Sequence, residues 1–287
     1  MEIRGSFICE SGSDLRRPKC HEEVNLNKTT PTNRLQCGRI KVTAPRSRPH
    51  GAPEPAESPA ATCNISQAGA VHLLTSDPED VAALVAFIRT NLGPKWAAWP
   101  GGWRGEIEAA LIDAVLSIRS RYGSPDTGVR GAVKLYRSSC AAAGRPLDDL
   151  DRLAAADPEK LAAVLHSRQR TSGQLKTEAI IAAAQKLNAA GVHRAADLEP
   201  DAPAHRAAYV GVRGLGPVTW SYLTMLLGHP GVKADTWICR FVSRALHRPV
   251  SSPEAEALVI GAADQLQVGR TALDHAIWSV ARRMSAD

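Results

Sequence analysis

The apolar positions of this chain recur with a helical period from about residue 75 to the C-terminal end. The first apolar stripe consists of Val81, Leu84, Val85 and Ile88. The clearest stripe falls within residues 106–122 and consists of Ile107, Leu111, Ile112, Val115, Leu116 and Ile118. Spacings of three and four residues place these side chains on one helix face, and no segment alternates as a strand does. We therefore predict an all-α domain over residues 73–287, built from helices and short turns.

Residues 1–72 show neither a helical nor an alternating apolar period, and Pro, Ser, Thr, Asn and Arg are frequent there. Such a segment buries too little apolar surface to offset the entropy lost on ordering, so we predict a disordered N-terminal extension. This segment also contains Cys9, Cys20, Cys37 and His21. Their wide and irregular spacing does not favour a metal site.

The composition narrows the class of protein without identifying it. The net charge is +6, from 35 Lys and Arg against 29 Asp and Glu, which is compatible with a polyanionic partner. The six cysteines include no C-x-x-C pair, which indicates reduced thiols rather than a disulfide or zinc framework. No apolar run approaches the roughly 20 residues of a membrane helix, and the N-terminus lacks the apolar stretch of a secretory signal. We therefore expect a cytoplasmic protein.

A glycine-rich turn between two short helices is the feature around which the chain is organised. Two segments with helical spacing within residues 204–227 are separated only by Arg213–Gly216. A linker this short predicts a tight hairpin of helices. Gly214 and Gly216 permit the positive φ of a sharp turn, and Pro217 suits the first position of a helix.

The start of the second helix should expose backbone donors. Its first N–H groups, those of Gly216, Val218 and Thr219, have no bulky side chain in front of them and lie at the positive end of the helix dipole. Such a helix start attracts a phosphate. The residues expected to hold DNA here are Arg213, Gly214, Leu215, Gly216, Val218 and Thr219. The alternative is a plain turn between two helices, which explains a Gly-x-Gly at a helix start without a ligand.

A carboxylate follows the hairpin along the chain. Asp235 lies nineteen positions after Gly216, behind an apolar helix and a turn rich in Gly and Pro, and it opens a further helix. This order of hairpin, Gly/Pro turn and aspartate resembles the helix-hairpin-helix/Gly-Pro/Asp superfamily of DNA glycosylases, with endonuclease III as the nearest pattern. The resemblance extends over about residues 76–284 and is most specific around residues 204–246.

The resemblance implies a two-lobed helical fold with a cleft between the lobes. One lobe would comprise about residues 124–228, including the hairpin, and the other about residues 76–123 and 229–287. The family grips the DNA backbone with the hairpin and extrudes a damaged base into the cleft. Asp235 would then stabilise the positive charge that develops on the sugar and orient the attacking water. The alternative is that Asp235 only caps its helix, a role that Asp fills well.

Three departures from the family pattern shape the expected activity. Val218 occupies the position at which bifunctional members carry the lysine that forms a Schiff base, so no amine is expected for covalent catalysis. Trp237 stands where the family often has histidine. No cysteine follows Cys239, so the four-cysteine iron–sulfur loop of some members is excluded. Relatives also hold a monovalent cation at the hairpin carbonyls, and this is the one cofactor that the resemblance leaves open here.

Other residues are candidates for contacts with DNA. Arg119 lies where the endonuclease III pattern has the glutamine that fills the space left by the extruded base. The candidates for further phosphate contacts, in and after a basic loop, are Arg168, Arg170 and Lys176. The candidates for walls of the base pocket are Trp220, Tyr222 and Trp237. For the basic residues, solvated surface charge is the alternative explanation.

Together these features predict a monofunctional DNA N-glycosylase that acts as a monomer on double-stranded DNA and associates with the nucleoid. The first alternative is a non-catalytic helix-hairpin-helix protein, which would bind DNA in a salt-sensitive manner without releasing a base. The second alternative is a helical adaptor between proteins, which predicts no affinity for nucleic acid at low salt. No motif reports which base would be removed.

Overall fold

A computed structural model describes residues 77–93, 95–96 and 98–284 of the chain. The extension predicted for residues 1–72, with its cysteines and His21, lies outside the described residues. Within them the chain forms eleven α-helices, one short 3-10 turn and a single two-stranded sheet. The predicted all-α fold class is therefore confirmed. No helix in the described ranges is both long and apolar enough to cross a membrane.

The helices follow one another with short connections. They are α1 (Pro78–Leu92), α2 (Ile107–Leu116), α3 (Gly128–Ala142), α4 (Leu150–Ala154), α5 (Pro158–Val164), α6 (Lys176–Ala189), α7 (Pro203–Val210), α8 (Pro217–Leu227), α9 (Thr236–Leu246), α10 (Ser252–Leu266) and α11 (Arg270–Met284). Two begin as the sequence indicates, with a capping aspartate followed by proline. The Asp77 carboxylate accepts the Glu79 N–H ahead of α1, and the Asp157 carboxylate accepts the Lys160 N–H ahead of α5.

The basic loop before α6 is a small β-hairpin, which the sequence analysis did not predict. Strand β1 (Arg170–Thr171) pairs antiparallel with β2 (Gln174–Leu175), and Arg170 lies opposite Leu175. Ser172 and Gly173 form the turn, both with positive φ, at 48° and 87°. A two-residue turn of this kind matches the natural twist of paired strands. Strands of two residues are too short to show an alternating pattern, so the periodicity could not reveal them.

Helix α2 ends at Leu116, six residues before the end that its apolar pattern indicates. Beyond that point Arg119 has a positive φ of 49°, which breaks the helix. The buried Lys176 ammonium donates to the carbonyl oxygens of Leu116 and Ile118, at 2.9 and 2.6 Å. These carbonyls therefore bond to a side chain distant in sequence, and residues 117–122 form a loop.

The buried apolar residues form two core clusters. The first contains side chains of α2, α3, α6 and α8 and the second those of α1, α9, α10 and α11. Every residue of α2 is buried, as expected of a helix at the centre of a cluster. The sequence analysis assigned residues 76–123 to one lobe. The structure divides that segment, because α2 packs with the hairpin helix α8 whereas α1 packs with α9 and α10.

Candidate functional site

A cleft of about 1380 Å³ opens where residues of both core clusters meet. One side is formed by the loop after α2 and by Val218 and Thr219 from the first turn of α8. The other side is formed by the connector before α9, by α9 itself and by Trp278 of α11. Asp235 lies in this lining. The structure therefore brings the predicted carboxylate and the start of the hairpin helix to the same cavity.

Asp235 is held rigidly at the start of α9. Its Oδ1 atom accepts the N–H groups of Trp237 at 2.8 Å and Ile238 at 3.3 Å. Its Oδ2 atom accepts no hydrogen bond from any described residue. The carboxylate thus caps the helix with one oxygen, while the other oxygen has no donor among the described residues.

Three hydrogen bonds hold the connector that carries Asp235. The backbone N–H of Lys233 donates to Asp274 Oδ1 at 2.9 Å. The Gly231 N–H donates to the Thr271 hydroxyl at 3.2 Å, and the Ser252 hydroxyl donates to the Ala234 carbonyl at 2.7 Å. One anchor, Ser252, belongs to α10, and the other two, Thr271 and Asp274, belong to α11. The shape of the connector therefore does not depend on local sequence alone.

The turn of the helical hairpin needs glycine at one position, not at two as predicted. Gly214 has a φ of 85°, and a β-carbon there would lie 2.9 Å from Thr171 Oγ1 of the β-hairpin. Gly216 has an extended φ of −159°, which any residue adopts. A β-carbon at Gly216 would meet no atom within 4 Å. Gly214 therefore serves the turn, while Gly216 leaves open space in front of α8.

The backbone donors at the start of α8 are fewer than the sequence analysis expected. The Gly216 N–H donates to Thr219 Oγ1 at 3.0 Å, and the Thr219 N–H donates to the Gly216 carbonyl at 3.1 Å. Only the Val218 N–H of the three predicted donors has no acceptor among the described residues. The threonine at this position closes a capping box. An anion could therefore use the Val218 N–H and the helix dipole.

The carbonyls of the hairpin turn already accept hydrogen bonds. Arg213 O accepts from Gln174 Nε2 at 2.7 Å, and Gly214 O accepts from Thr171 Oγ1 at 3.4 Å. Each carbonyl keeps a second lone pair, so the monovalent cation stays a prediction. Elsewhere in the described ranges, no group of three or more His, Cys, Asp and Glu side chains is arranged to hold a metal ion.

Arg119 lies at the rim of the cleft. It is exposed, and it lines both the cleft and a smaller cavity of about 420 Å³ beside it. Arg170 lines the smaller cavity and donates to the Gly173 carbonyl at 2.9 Å. Arg168 lines neither cavity and pairs with Glu159 at 2.8 Å. Arg213 is exposed at the tip of the helical hairpin. Of the predicted arginines, Arg119 is thus the one placed at the cleft itself.

Lys176 does not face solvent as a phosphate contact would require. The residue is 2% exposed, and its ammonium, with three N–H donors, lies within hydrogen-bond distance of four oxygens. The acceptors are the carbonyls of Leu116 and Ile118, the hydroxyl of Ser120 and Oε1 of Gln169, at 2.6–2.9 Å. Burial lowers the pKa of Lys176 to about 8. The predicted phosphate contact is therefore corrected, because this amine instead holds the loop that carries Arg119.

Two of the three predicted pocket aromatics face the core. Trp220 is 4% exposed and packs on the Tyr209 ring, with ring centroids 5.6 Å apart. The Tyr222 hydroxyl donates to Asp113 Oδ1 at 3.3 Å in the interior. Neither lines the cleft, whereas Trp237 does. The assignment of Trp220 and Tyr222 as pocket walls is corrected, because α8 turns both side chains towards α2 and α7.

Two aromatic residues that the sequence analysis did not select also line the cleft. They are Tyr122 and Trp278, whose rings meet edge to face with centroids 6.2 Å apart. The Arg282 guanidinium lies over the Trp278 ring at 4.5 Å. No local motif marks these residues, because Tyr122 and Trp278 come from elements distant in sequence.

The lining of the cleft is strongly basic. Among the described residues that line it, one is acidic, Asp235, and seven are basic: Arg119, Arg121, Lys233, Arg240, Arg244, Arg248 and Arg282. Three of the arginines recur every fourth residue along α9 and its end. Such spacing places side chains on one helix face, so this row is a signal that the sequence analysis could have used.

Lys233 also belongs to the cleft lining, although the sequence did not indicate it. Its ammonium lies 3.6 Å from the centroid of the Tyr222 ring and 3.2 Å from Ser117 Oγ. Beneath it, the buried Asp113 accepts hydrogen bonds from the Trp103 indole at 2.9 Å and from the Tyr122 hydroxyl at 3.1 Å. Burial raises the pKa of Asp113, and these hydrogen bonds oppose the rise.

Residues 82–282 match the protein family described as a domain of unknown function (DUF8548). No curated protein matches the chain. Among solved structures, the chain is similar to MBOgg1 in complex with a low-affinity DNA ligand, at 15% identity and a TM-score of 0.46, over 71% of this chain and 67% of that one. It is also similar to a thermostable thymine-DNA glycosylase, at 14% identity and a TM-score of 0.45, over 71% of this chain and 86% of that one.

Proposed function

This chain belongs to the family described as a domain of unknown function (DUF8548), and we propose that it is a DNA N-glycosylase. In this proposal the cleft takes up a nucleotide extruded from double-stranded DNA, and Asp235 promotes hydrolysis of its N-glycosidic bond. The observation that carries the proposal is that Asp235 and the start of α8 line one cleft. A phosphate at the helix start would hold the backbone while the carboxylate acts on the attached sugar.

The charge of the cleft supports a polyanionic ligand. Seven basic side chains and one carboxylate line it, and the whole chain has a net charge of only +6. Arg248 is paired with Asp80 and Glu254, and the other six basic side chains concentrate positive charge where the ligand would lie. Such a concentration raises the local concentration of a polyanion and speeds its association.

The position of Asp235 supports hydrolysis of a glycosidic bond. Breaking this bond builds positive charge on the sugar, and a rigid, ionised carboxylate stabilises that charge. The two N–H groups that donate to Oδ1 fix the carboxylate, and Asp235 is part of the cleft lining. A water held by Oδ2 would be the nucleophile.

The aromatic residues of the cleft support the uptake of a base. Trp237, Tyr122 and Trp278 line it, and an aromatic ring stacks on any base through its π-face. In this proposal the exposed Arg119 at the rim fills the gap that an extruded base leaves in the duplex, since a guanidinium both stacks and donates hydrogen bonds.

The test is the Asp235→Asn variant, incubated with a panel of duplexes that each carry one damaged or mispaired base. Asn keeps the helix cap, so the protein should fold and bind DNA, yet form no alkali-sensitive abasic sites. Asp157→Asn is the matched control, because it changes a capping aspartate of α5 outside the cleft. Wild-type rates of base release from Asp235→Asn on every active substrate would overturn the assignment of Asp235.

A second candidate is a protein that clamps DNA without chemistry. The hydrogen bonds of Asp235 to the N–H groups of Trp237 and Ile238 favour it, because they give the carboxylate a structural role in the absence of any substrate. This candidate predicts duplex affinity that falls steeply with salt and no abasic product from any damaged duplex in the panel.

A further inference from the structure

The smaller cavity beside the cleft, hereafter the side cavity, also has a basic lining. Its volume is about 420 Å³. Among the described residues that line it none is acidic, and four are basic: Arg119, Arg121, Arg170 and Lys176. Residues 118–121 line both the side cavity and the cleft, so this loop is a wall that the two share. The proposed function places a ligand in the cleft only, and it gives the charge of the side cavity no partner.

Lys176 contributes a buried positive charge that no carboxylate neutralises. The residue is 2% exposed, and the acceptors around its ammonium are two carbonyls, a hydroxyl and an amide oxygen, all of them uncharged. It makes no ion pair among the described residues, and burial alone shifts its pKa, downwards. A buried charge is costly unless a countercharge lies near it. An anion in the side cavity would supply that countercharge.

The arginines supply the hydrogen-bond donors for such an anion, because those of Lys176 already have acceptors. Arg119 and Arg121 are exposed, and their guanidinium groups make no hydrogen bond or ion pair with any described residue. Arg170 donates through one nitrogen to the Gly173 carbonyl at 2.9 Å, which leaves its other N–H groups for a ligand. The planar fork of a guanidinium fits two oxygens of one phosphate. The side cavity therefore combines a buried positive charge with exposed donors that suit a phosphate group.

The start of α3 adds a backbone donor to the same cavity. The helix begins at Gly128, which belongs to the lining. No side chain caps α3, and the Gly128 N–H has no acceptor among the described residues. A helix start carries a partial positive charge and binds anions through such N–H groups. Its charge adds to that of the arginines and Lys176.

The β-hairpin that carries Arg170 is attached to the turn of the helical hairpin. Gln174 donates to the Arg213 carbonyl at 2.7 Å, and Thr171 donates to the Gly214 carbonyl at 3.4 Å. The side cavity and the start of α8 are therefore carried by elements in direct contact. One polyanion with regularly spaced phosphates is thus a better match than two separate small anions.

We propose that the side cavity binds a phosphate group of the DNA backbone, separate from the one at the start of α8. Arg121 and Arg170 donate to the phosphate oxygens, and Lys176 stabilises the phosphate through its charge. The proposal rests on the DNA binding in the proposed function, but it does not require base release. Occupation of the side cavity would also give the buried ammonium of Lys176 the countercharge that the described residues lack.

The experiment measures the coupling between Arg170 and single phosphates of a duplex. The full chain is titrated by gel shift with a duplex that carries one abasic-site analogue, which fixes the register, and with a series in which one phosphate at a time in either strand is an uncharged methylphosphonate. Arg170→Gln should lower the affinity for the unmodified duplex about tenfold. One methylphosphonate should weaken the wild type by a similar factor but Arg170→Gln by less than about twofold, because the variant already lacks that contact.

A control and a second variant sharpen the result. Arg168→Gln removes the same charge two positions away, from a side chain that pairs with Glu159 and lines neither cavity. It should bind within about twofold of the wild type and respond to the same methylphosphonate as the wild type does. Arg121→Gln removes a side chain without a partner among the described residues, so it should not disturb folding. It should couple to the same phosphate as Arg170→Gln.

The outcomes separate this proposal from the proposed function. Wild-type affinity of both Arg170→Gln and Arg121→Gln, or an undiminished response of both to every methylphosphonate, would overturn the phosphate site, while base release by the wild type would leave the proposed function standing. Coupling at one phosphate without any base release would support the site and favour the protein that clamps DNA without chemistry. Inorganic phosphate that raises the Tm of the wild type but not of Arg170→Gln, with no coupled methylphosphonate, would assign the cavity to a free anion and overturn the proposal. Absence of duplex binding by the wild type would overturn both.

Discussion

Helices α8 and α9 begin at the same cleft, but the N–H groups of their first turns have different acceptors. At α8 the Gly216 and Thr219 groups satisfy each other and leave the Val218 N–H without an acceptor among the described residues. At α9 the carboxylate of Asp235 accepts two N–H groups of the first turn. The first helix start can take an anion from outside, whereas the second already holds one.

This difference shows how one backbone geometry serves two electrostatic purposes. Both helix starts have a positive dipole end. Where the capping side chain is absent, as at Gly216, that end is available to a phosphate. Where the capping side chain is a carboxylate, two N–H groups of the first turn hold it in place. The proposed enzyme uses the first to grip DNA and the second to act on it.

The largest effect is expected at the start of α9. Asp235→Asn and Asp235→Ala should both lower the rate of base release about 100-fold or more, since each removes the charge that stabilises the transition state. Asp235→Ala should also lose about 1 kcal/mol of stability, because alanine cannot cap the helix. Single-turnover base release and urea unfolding measure the two effects. Equal stability of the two variants would show that the cap contributes nothing.

The next largest effects are expected at Gly214 and Gly216, and they should differ: the first substitution should lower stability and the second duplex affinity. Gly214→Ala should destabilise the protein by about 1–3 kcal/mol, because its positive φ and the nearby Thr171 exclude a β-carbon. Gly216→Ala should leave stability within about 0.5 kcal/mol but weaken duplex binding about tenfold if a phosphate occupies the open space in front of it. Urea unfolding and gel-shift titration test this pair. Unchanged duplex affinity of Gly216→Ala would place the phosphate elsewhere.

A pH effect is expected from the anchor of the connector before α9. Burial raises the pKa of Asp274 to about 8, from 3.8 in the unfolded chain. Between these values the folded state binds the extra proton, so this contribution to stability is complete below about pH 4 and is lost as the pH rises to about 8. Asp274→Asn keeps the acceptor for the Lys233 N–H and cannot ionise. Its stability, measured by thermal unfolding, should therefore decline less than the wild type's from pH 5 to pH 8.

The smallest effect is expected along the outer wall of the cleft. Arg240→Gln should weaken duplex binding only slightly and reduce the slope of log affinity against log salt by about one. Arg89→Gln is the matched control, because Arg89 is exposed at the end of α1 and does not line the cleft. Equal slopes for the two variants would show that the α9 wall does not contact DNA, leaving the start of α8 as the contact.

Local chemistry was sufficient to predict the elements that begin at a recognisable residue. Pro217 opens α8 and Asp235 caps α9 as their sequences indicate, since a cap and its helix lie within four residues of each other. The all-α class followed from periodicity over two hundred residues, in which errors at single positions average out. The positive φ at Gly214 could be predicted because it belongs to the turn itself, whereas the close approach of Thr171 could not.

Tertiary structure alone decided where the cleft lies and which side chains enter it. The end of α2 depends on Lys176, about sixty positions away, whose ammonium takes the carbonyls that a further helical turn would have used. Trp220 and Tyr222 turned inward because α2 and α7 pack on their faces of α8. Lys233 reached the cleft because residues of α10 and α11 hold its connector. Sequence spacing determines which face of one helix a side chain occupies, but only the packing of several helices determines whether that face meets solvent, core or ligand.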